Sequence, residues 1–417
     1  MSRHIFSATL FKIMVSAVIC CNVAFGKSTA GNNTGDTIRH ATVLKDTISV
    51  SLLTCAPGPL IYELYGHTAI RIKILTTGDD LAFNYGMFDF RKPNFVMRFI
   101  KGETDYMLGV YPFDDFLEEY KERGSDVTEQ SLNLTPEEKE ILLYSLVKNA
   151  LPANCVYRYN FFYANCTSKA RDMIERCIDG EIVYPYDEKP ESFRKIIHIY
   201  TKNNPWAEFG QDLLLGAGAD KPISQREKMF APLFLKKYVD KAIIVSDNGL
   251  ERPLVNSTKT IKPYKETKQT TVFFLSPSIT FGTLLVLTII LCFIELKTKK
   301  IFWGHELLLR LAQGIAGCII AFLFLCSEHP TVKSNWLLVI LNPIPIIYVV
   351  FRIRNIRKRK YDFFVPVAFA IEALFFVAMP FIPQNFSFAV YCFALSLCLH
   401  SGTCTYLQHK LKWKKAA

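Results

Sequence analysis

The strongest constraint on this chain is a set of five long apolar segments that follow residue 271. They cover residues 272–294, 307–327, 335–351, 362–381 and 386–407. Each is long enough to cross a hydrocarbon core of about 30 Å at about 1.5 Å per helical residue. Because a bilayer core offers no water to backbone N–H and C=O groups, such segments are expected to be helical. The sequence therefore predicts a five-helix transmembrane bundle over residues 272–417.

The third segment differs from the others. It is the shortest, and it contains Pro343 and Pro345. Proline removes a backbone donor and clashes with the preceding turn of a helix. We therefore expect this span to be kinked or partly re-entrant.

Basic residues fix the orientation of the spans. Clusters of Lys and Arg follow the first, third and fifth spans, whereas loops 328–334 and 382–385 hold only Lys333 as a basic residue. The positive-inside rule places the basic loops in the cytoplasm and residues 27–271 outside. Residues 272–417 hold 15 Lys and Arg against 5 Asp and Glu, in a chain of net charge +11. The positive charge is thus a topology signal, and it does not indicate nucleic-acid binding.

Glu372, Arg310 and His400 are ionisable residues that lie within the predicted spans. Glu372 is in the middle of the fourth span, where a carboxylate is costly and usually has a partner or a purpose. Arg310 is expected to extend its side chain to the cytoplasmic interface. His400, near the middle of the fifth span, has no clear assignment from the sequence.

The amino-terminal segment predicts export. Residues 5–25 form an apolar run after Arg3, and it ends at a small-x-small site near Gly26. The predicted order is a signal peptide at 1–26, a mobile leader at 27–45, an exported domain at 46–245, a linker at 246–271 and the transmembrane domain at 272–417.

The exported domain shows the pattern of an α+β fold. Alternating apolar residues predict strands from 49, at 68–75, 81–88, 105–113 and 126–134. Helices are predicted near 114–123, over 135–150 from a Thr-Pro-Glu-Glu capping box, and from residue 166. We expect a small antiparallel sheet with helices packed on one side.

Cys166 is placed at the start of the last of these helices. Behind it, apolar residues recur with helical spacing at Ala170, Met173, Ile174, Cys177 and Ile178. A thiol in the first helical turn lies near free backbone N–H groups and the positive dipole end, which lower its pKa. A small buried cysteine at the same place is the structural alternative.

His67 lies upstream at the mouth of a predicted strand. A thiolate at a helix start and an imidazole on a strand are the two halves of a papain-type nucleophile. Here the histidine precedes the cysteine, which reverses the order in papain. A histidine with a purely structural role is the alternative.

These residues carry a resemblance to a known family. Residues 48 to about 235 resemble the Lnb-type periplasmic domain of Bacteroidota at Tyr65-Gly66-His67-Thr68, Asn84-Tyr85-Gly86 and Asn165-Cys166-Thr167. The pattern is similar to the permuted NlpC/P60 branch of papain-like folds, in which an Asn-Cys pair opens a helix. The membrane half resembles the full-length lipoprotein N-acyltransferase at Ser327-Glu328-His329-Pro330 and Asn342-Pro343. The resemblance implies a papain-like periplasmic α+β domain followed by a five-helix bundle in the bacterial inner membrane.

The resemblance also implies an activity. An acyl chain would move from a phospholipid, through a thioester on Cys166, to the α-amine of the diacylglyceryl-cysteine of lipoproteins. His67 would remove the thiol proton, and Asn84, which the predicted hairpin brings towards His67, would orient the imidazole. A turn or edge asparagine is the alternative for Asn84. The backbone N–H of Cys166 is the expected oxyanion donor.

Five further residues are candidates for the site. Asn165 either caps the helix or helps to bind the oxyanion. Tyr65 and Tyr163 are candidates for the pocket wall, with aromatic packing as the alternative. Glu328 and His329 lie where the second span leaves the membrane on the exported side, as a substrate-side loop or as ordinary interfacial residues.

Two other functions stay open from the sequence. One is a membrane-anchored cysteine peptidase or amidase that acts on peptidoglycan or peptides, and the other is a non-catalytic lipoprotein-binding factor. The five spans favour the acyltransferase, since a peptidase needs only one anchor. No zinc-spaced cysteine pair is present, so no metal or other cofactor is predicted. Cys55 and Cys155 are candidates for a disulfide, which their spacing leaves undecided.

Overall fold

The computed structural model describes residues 47–88, 93–187, 189–262 and 276–413. The predicted signal peptide and leader lie outside these residues, so both stay predictions. The chain divides into two compact units, each assembled from separate stretches of sequence. The first unit holds the described parts of 1–90, 105–187 and 225–267, and the second holds those of 91–104, 188–224 and 268–417.

The first unit is built around antiparallel strands. In chain order the strands are β1 (Ile48–Cys55), β2 (His67–Ile74), β3 (Asp79–Met87), β4 (Asp105–Pro112), β5 (Val127–Leu132), β6 (Val156–Arg158), β7 (Glu181–Val183), β8 (Ile243–Val245), β9 (Glu251–Pro253) and β10 (Val255–Ile261). Seven of them form one sheet in the order β10-β5-β1-β2-β3-β4-β6, and β7-β8-β9 form a second. Neighbouring strands of both sheets run antiparallel, which confirms the predicted hairpin of β2 and β3.

The helices belong to both units. In chain order they are α1 (Phe95–Lys101), α2 (Phe113–Glu122), α3 (Pro136–Ala150), α4 (Cys166–Glu175), α5 (Phe193–Thr201), α6 (Pro205–Leu214), α7 (Gln225–Lys228), α8 (Pro232–Val239), α9 (Pro277–Thr298), α10 (Trp303–Cys326), α11 (Ile344–Lys358), α12 (Phe364–Ala378) and α13 (Phe388–Lys410).

The seven-stranded sheet is covered on both faces. Val50 and Leu52 of β1 point to the larger core, where α3, α4 and α8 pack. Leu53 and Cys55 point to the other face and pack against Phe113, Phe116 and Tyr120 of α2. The prediction of helices on one side only was therefore wrong. Because β1 is apolar on both faces, the second face also needs a cover.

The predicted capping box at the start of α3 is confirmed. Thr135 Oγ1 accepts a hydrogen bond from the Glu138 N–H at 3.2 Å, and Glu138 Oε2 accepts one from the Thr135 N–H at 2.7 Å. The other oxygen of Glu138 accepts from the Arg252 guanidinium of β9 at 2.5 Å. The capping residue Glu138 thus also connects β9 to α3 through an ion pair with Arg252.

Part of the predicted linker is folded. Within 246–262, strand β9 pairs with β8, and strand β10 pairs with β5 at the edge of the large sheet. The polar composition suggested a linker because most side chains of β10 face solvent. A one-sided edge strand needs few apolar residues, so composition alone does not distinguish it from a linker. Residues 263–271 lie outside the described residues.

The second unit contains the five predicted spans. The apolar helical segments are Pro277–Thr298, Trp303–Cys326, Trp336–Lys358, Phe364–Phe381 and Phe388–Lys410. The third begins as a short 3-10 turn at Trp336–Val339 and becomes α-helical only at Ile344. The expected break near Pro343 is thus confirmed. Because Pro343 has no N–H and Pro345 occupies the first turn, the helix starts anew there.

Two glycines of α10 let the broken third span approach closely. A Cβ added at Gly317 would lie 2.2 Å from the carbonyl carbon of Asn342, and one added at Gly314 would lie 2.5 Å from Ile346 Cβ. Small residues commonly permit such backbone contacts between membrane helices. Larger side chains at either position would force the third span away from α10.

Arg310 does not reach the interface. Its side chain is 2% exposed, and its guanidinium contacts Glu372 at 2.8 Å and Glu306 at 3.2 Å. The prediction that Arg310 extends to the interface was therefore wrong, because its partner carboxylates lie inside the bundle. Glu372 has the partner that its position in the span requires.

Two segments from the amino-terminal half also belong to the second unit. Helix α1 packs on the loop after α10, where the Ser327 hydroxyl donates to the Ile100 carbonyl at 2.8 Å. In the segment 189–224, Asp220 accepts from Arg194 at 3.0 Å and from the Asn385 side chain at 2.7 Å. The predicted domain at 46–245 is thus divided between the two units.

Candidate active site

Asn165 caps the helix that begins at Cys166. Its Oδ1 accepts from the N–H groups of Thr167 and Ser168, each at 2.9 Å. Its Nδ2 donates to two backbone carbonyls at 2.8 and 2.9 Å. These four bonds occupy both ends of the amide, which favours capping over oxyanion binding. The Cys166 N–H lies outside the cap bonds, at the positive end of the helix dipole.

His67 is the first residue of β2, and Asn84 lies on the neighbouring strand β3. His67 Nε2 is 2.5 Å from Asn84 Oδ1. Since an amide oxygen only accepts, His67 donates this bond through Nε2–H, which leaves Nδ1 for a second partner. Cys166 lies close enough to this imidazole for each side chain to shift the pKa of the other. The structure thus brings together the three residues predicted for catalysis.

Helix α4 is held against β2 and β3 at this point. Thr68 Oγ1, next to His67, bonds to Thr167 Oγ1, next to Cys166, at 3.1 Å. Both threonines are completely buried. This bond links the two catalytic candidates through their chain neighbours, so it fixes one relative to the other.

Electrostatics favour an ionised pair. Burial raises the pKa of the Cys166 thiol, but the adjacent His67 imidazole outweighs that effect and lowers the pKa to about 7. Burial lowers the pKa of His67, whereas the Cys166 thiolate and the hydrogen bonds with Cys166 and Asn84 raise it above its ordinary value. Each group therefore stabilises the charged form of the other, as nucleophilic thiols require.

The pair predicts a specific pH dependence of thiol reactivity. Alkylation of Cys166 by iodoacetamide in the full-length protein should titrate with a midpoint at about pH 7. The rate should fall as the pH falls through this value, because the thiolate is protonated. His67→Ala should raise the midpoint, since burial then acts without the imidazole. A wild-type midpoint near the ordinary cysteine value of about 8.5 would contradict the ionised pair.

Gly86 provides the space in front of the pair. Its φ is +93°, and a Cβ added there would lie 3.5 Å from Cys166 Cβ and 3.7 Å from His67 Cε1. The pairing of β3 with β4 is also irregular between Asn84 and Met87. The glycine and the strand irregularity thus lie directly beside the thiol and the imidazole.

We expect Gly86→Ala to impair catalysis beyond its effect on folding. A left-handed backbone costs an alanine on the order of 1–2 kcal/mol. Gly78→Ala is the matched control, since Gly78 has φ +79° and nothing within 4 Å of an added Cβ. Thermal unfolding should show similar losses for both variants, whereas acyl transfer should fall clearly more in Gly86→Ala. Equal activities would contradict a substrate role for this space.

The two predicted pocket tyrosines lie in aromatic surroundings. The Tyr65 ring packs edge-on against Phe161 with centroids 4.9 Å apart. Tyr163 is 50% exposed, and its hydroxyl is 3.5 Å from a Glu227 oxygen. The Tyr65 contact fits the packing alternative, and the pocket role of both tyrosines stays a prediction.

Tyr120 is a neighbour of the site that was not predicted from the sequence. Its ring lies nearly parallel to the His67 ring with centroids 6.2 Å apart, and it hydrogen-bonds the Cys55 side chain. Tyr120 comes from α2 on the second face of the sheet. The helical spacing of Phe113, Phe116 and Tyr120 was the signal, but it did not show which face α2 covers.

Glu328 and His329 belong to the second unit, whereas Cys166, His67 and Asn84 belong to the first. His329 Nε2 donates to the Phe99 carbonyl at 2.7 Å, and the Glu328 N–H donates to the Lys101 carbonyl at 2.8 Å. These contacts hold α1 on the end of α10. A substrate role for this loop stays a prediction.

The candidate disulfide is not formed. Cys55 and Cys155 are both free thiols. Cys55 packs in the cluster with α2, whereas Cys155 packs against the core on the other face. Two cysteines on opposite faces of a sheet do not meet the distance that a disulfide requires.

The fold and the site define a class of protein. It is a five-span membrane protein whose mixed α/β amino-terminal domain has a cysteine beside a histidine. Two family models match the chain. The model of the Lnb N-terminal periplasmic domain matches residues 36–197, and that of the Lnb transmembrane domain matches residues 267–412. The chain belongs to the Lnb lipoprotein N-acyltransferase family, with a periplasmic domain before five membrane spans. No curated protein and no solved structure matches it significantly.

Proposed function

We propose that Cys166 carries an acyl chain from a phospholipid to the α-amine of the diacylglyceryl-cysteine of lipoproteins. Family membership makes lipoproteins the acceptor class. The observation that supports the route through Cys166 is its position at the start of α4 beside His67, which lowers the thiol pKa to about 7. A buried structural cysteine has no need of either feature.

The first step loads the acyl chain. The Cys166 thiolate attacks the ester carbonyl carbon of the phospholipid, a C–S bond forms and the ester C–O bond breaks. The leaving lysophospholipid oxygen takes the proton that His67 holds on Nδ1. The Cys166 N–H donates to the carbonyl oxygen while that oxygen carries negative charge. The products are a thioester and a lysophospholipid.

The second step transfers the chain. The neutral α-amine attacks the thioester carbon, a C–N bond forms and the C–S bond breaks. His67 takes the amine proton as a general base and shares it with the released thiolate, which restores the starting pair. Asn84 holds the Nε2–H throughout, so Nδ1 stays directed at the sulfur.

The membrane spans explain why the acyl chain of the thioester would be transferred to an amine and not to water. Both substrates are lipids, and a chain with five spans meets both in one bilayer. Exclusion of water from the site would protect the thioester until the amine arrives. An anchored peptidase would require neither the lipid donor nor more than one span.

Purified full-length protein with phospholipid vesicles and a diacylated lipopeptide tests this function. We expect lysophospholipid and N-acylated lipopeptide to form in equal amounts, measured by mass spectrometry. Free fatty acid as the main product would favour a hydrolase. Cleavage of a peptidoglycan stem peptide without lysophospholipid would favour the peptidase.

A further inference from the structure

A buried charged cluster lies inside the helical bundle of the second unit. Glu306 Oε1 lies 3.2 Å from Arg310 and 3.1 Å from Arg352, and Glu306 Oε2 lies 2.9 Å from His400 Nδ1. Arg310 also contacts Glu372 at 2.8 Å. All five residues are at most 2% exposed. The burial of so many charged side chains inside a membrane bundle is energetically costly, and such residues usually have a function.

Acidic groups outnumber basic groups in this cluster. Its described carboxylates are Glu295, Glu306, Asp362 and Glu372. Its described guanidinium groups are those of Arg310 and Arg352. With neutral imidazoles the cluster has an excess of two negative charges. Since uncompensated buried charge is strongly unfavourable, a divalent cation would stabilise the cluster, because it lowers the excess from two negative charges to one even when Cys404 binds as a thiolate.

Three side chains direct ligand atoms at one point in this cluster. His400 and Cys404 lie one turn apart on α13 and so share a face, and Glu306 comes from α10. Cys404 Sγ is 3.9 Å from both Glu306 Oε2 and His400 Nδ1, which are 2.9 Å from each other. Ligand atoms around tetrahedral zinc lie about 3.3–3.6 Å apart, so small side-chain shifts would form the site.

Five buried atoms in and beside this cluster lack a hydrogen-bond partner among the described residues. They are Glu295 Oε2, Glu372 Oε2, His305 Nε2 and both terminal nitrogens of Arg352. The other oxygen of Glu295 lies 3.4 Å from His400 Nε2, and the His305 ring packs edge-on against the His400 ring at 4.8 Å. Buried polar atoms in native proteins are normally satisfied, so the described side chains alone leave this cluster incompletely satisfied.

We propose that Glu306, His400 and Cys404 bind a zinc-type divalent cation that joins α10 to α13. A donor set of thiolate, imidazole and carboxylate favours zinc over magnesium or calcium. Binding would release the Cys404 thiol proton. All three ligands belong to the second unit, near the ends of the spans that adjoin the basic loops. The role of the metal is therefore to hold the helices of the bundle together. Ligand spacing along the chain does not reveal this site, because the third ligand comes from another helix.

Metal analysis of the full-length protein in detergent tests the site. The protein is loaded with zinc, freed of excess ion and analysed for metal content. We expect about one zinc ion per chain, and a loss of at least about tenfold in Cys404→Ala. Cys392→Ala is the matched control, since Cys392 is also buried on α13 but lies three turns away. It should keep the full zinc content.

Cobalt(II) binding provides a second test, which does not depend on whether the Cys404→Ala variant folds. In a Cys166→Ala background, which removes the reactive thiol, cobalt(II) should give a thiolate-to-metal charge-transfer band. Absence of this band, or zinc far below one ion per chain, would overturn the proposal. Equal zinc content in Cys404→Ala and Cys392→Ala would overturn it as well.

Discussion

Cys166→Ala is expected to abolish N-acylation of lipoproteins, with a loss of roughly 10⁴-fold or more, because the acyl chain then has no nucleophile to accept it. Protein level and membrane insertion should stay unchanged, since Cys166 is only partly buried at the start of α4. The measurement is the rate of N-acyl lipopeptide formation by purified full-length protein, supported by mass spectrometry of lipoprotein amino termini in cells.

Cys155→Ala is the matched control for this variant. Cys155 is also a partly exposed free thiol of the first unit, and its Sγ donates to the Pro152 carbonyl at 3.7 Å. It should keep nearly full activity. Normal N-acylation by purified Cys166→Ala would rule out the thiol mechanism.

His67→Ala is expected to lower the rate of acyl transfer by a factor on the order of 10² to 10⁴, the usual effect of removing a general base. The variant loses both the proton acceptor and the charge that lowers the Cys166 pKa. Raising the pH should restore part of the loading rate, because hydroxide then generates the thiolate. A pH-independent loss would argue for a structural role of His67.

Asn84→Ala should cost less than His67→Ala, since Asn84 only orients the imidazole through its 2.5 Å bond. The thiol should still titrate below the ordinary cysteine value in this variant. Equal losses at both positions would assign Asn84 a direct catalytic role. No loss would assign the orienting role to another residue.

The local parts of the site were predictable from sequence. Asn165 and Cys166 follow an extended segment and precede a helical repeat, so the cap and the thiol position depend on neighbours in the chain. His67 and Asn84 lie on neighbouring strands of one hairpin, whose short turn sets the register that brings them close together. These features need no information about distant contacts, and the structure contains them as predicted.

Features that depend on distant contacts were not predictable. The cover of the second sheet face by α2 and the assignment of residues 91–104 to the second unit follow from packing between remote segments. Strand β10 has a polar sequence because it is an edge, and Arg310 stays inside the bundle because Glu372 lies on another helix. Periodicity identifies elements, but it does not identify their partners.

Intact-protein mass spectrometry tests the central claim most directly. Full-length protein is incubated with phospholipid and no acceptor, then digested to locate any acyl group. We predict one acyl chain per protein, on the peptide that contains Cys166. Neutral hydroxylamine should remove this chain, as expected for a thioester. Addition of a diacylated lipopeptide should transfer the chain from Cys166 to the lipopeptide amine as an amide. An acyl chain on another residue, or unchanged acylation in Cys166→Ala, would contradict the account.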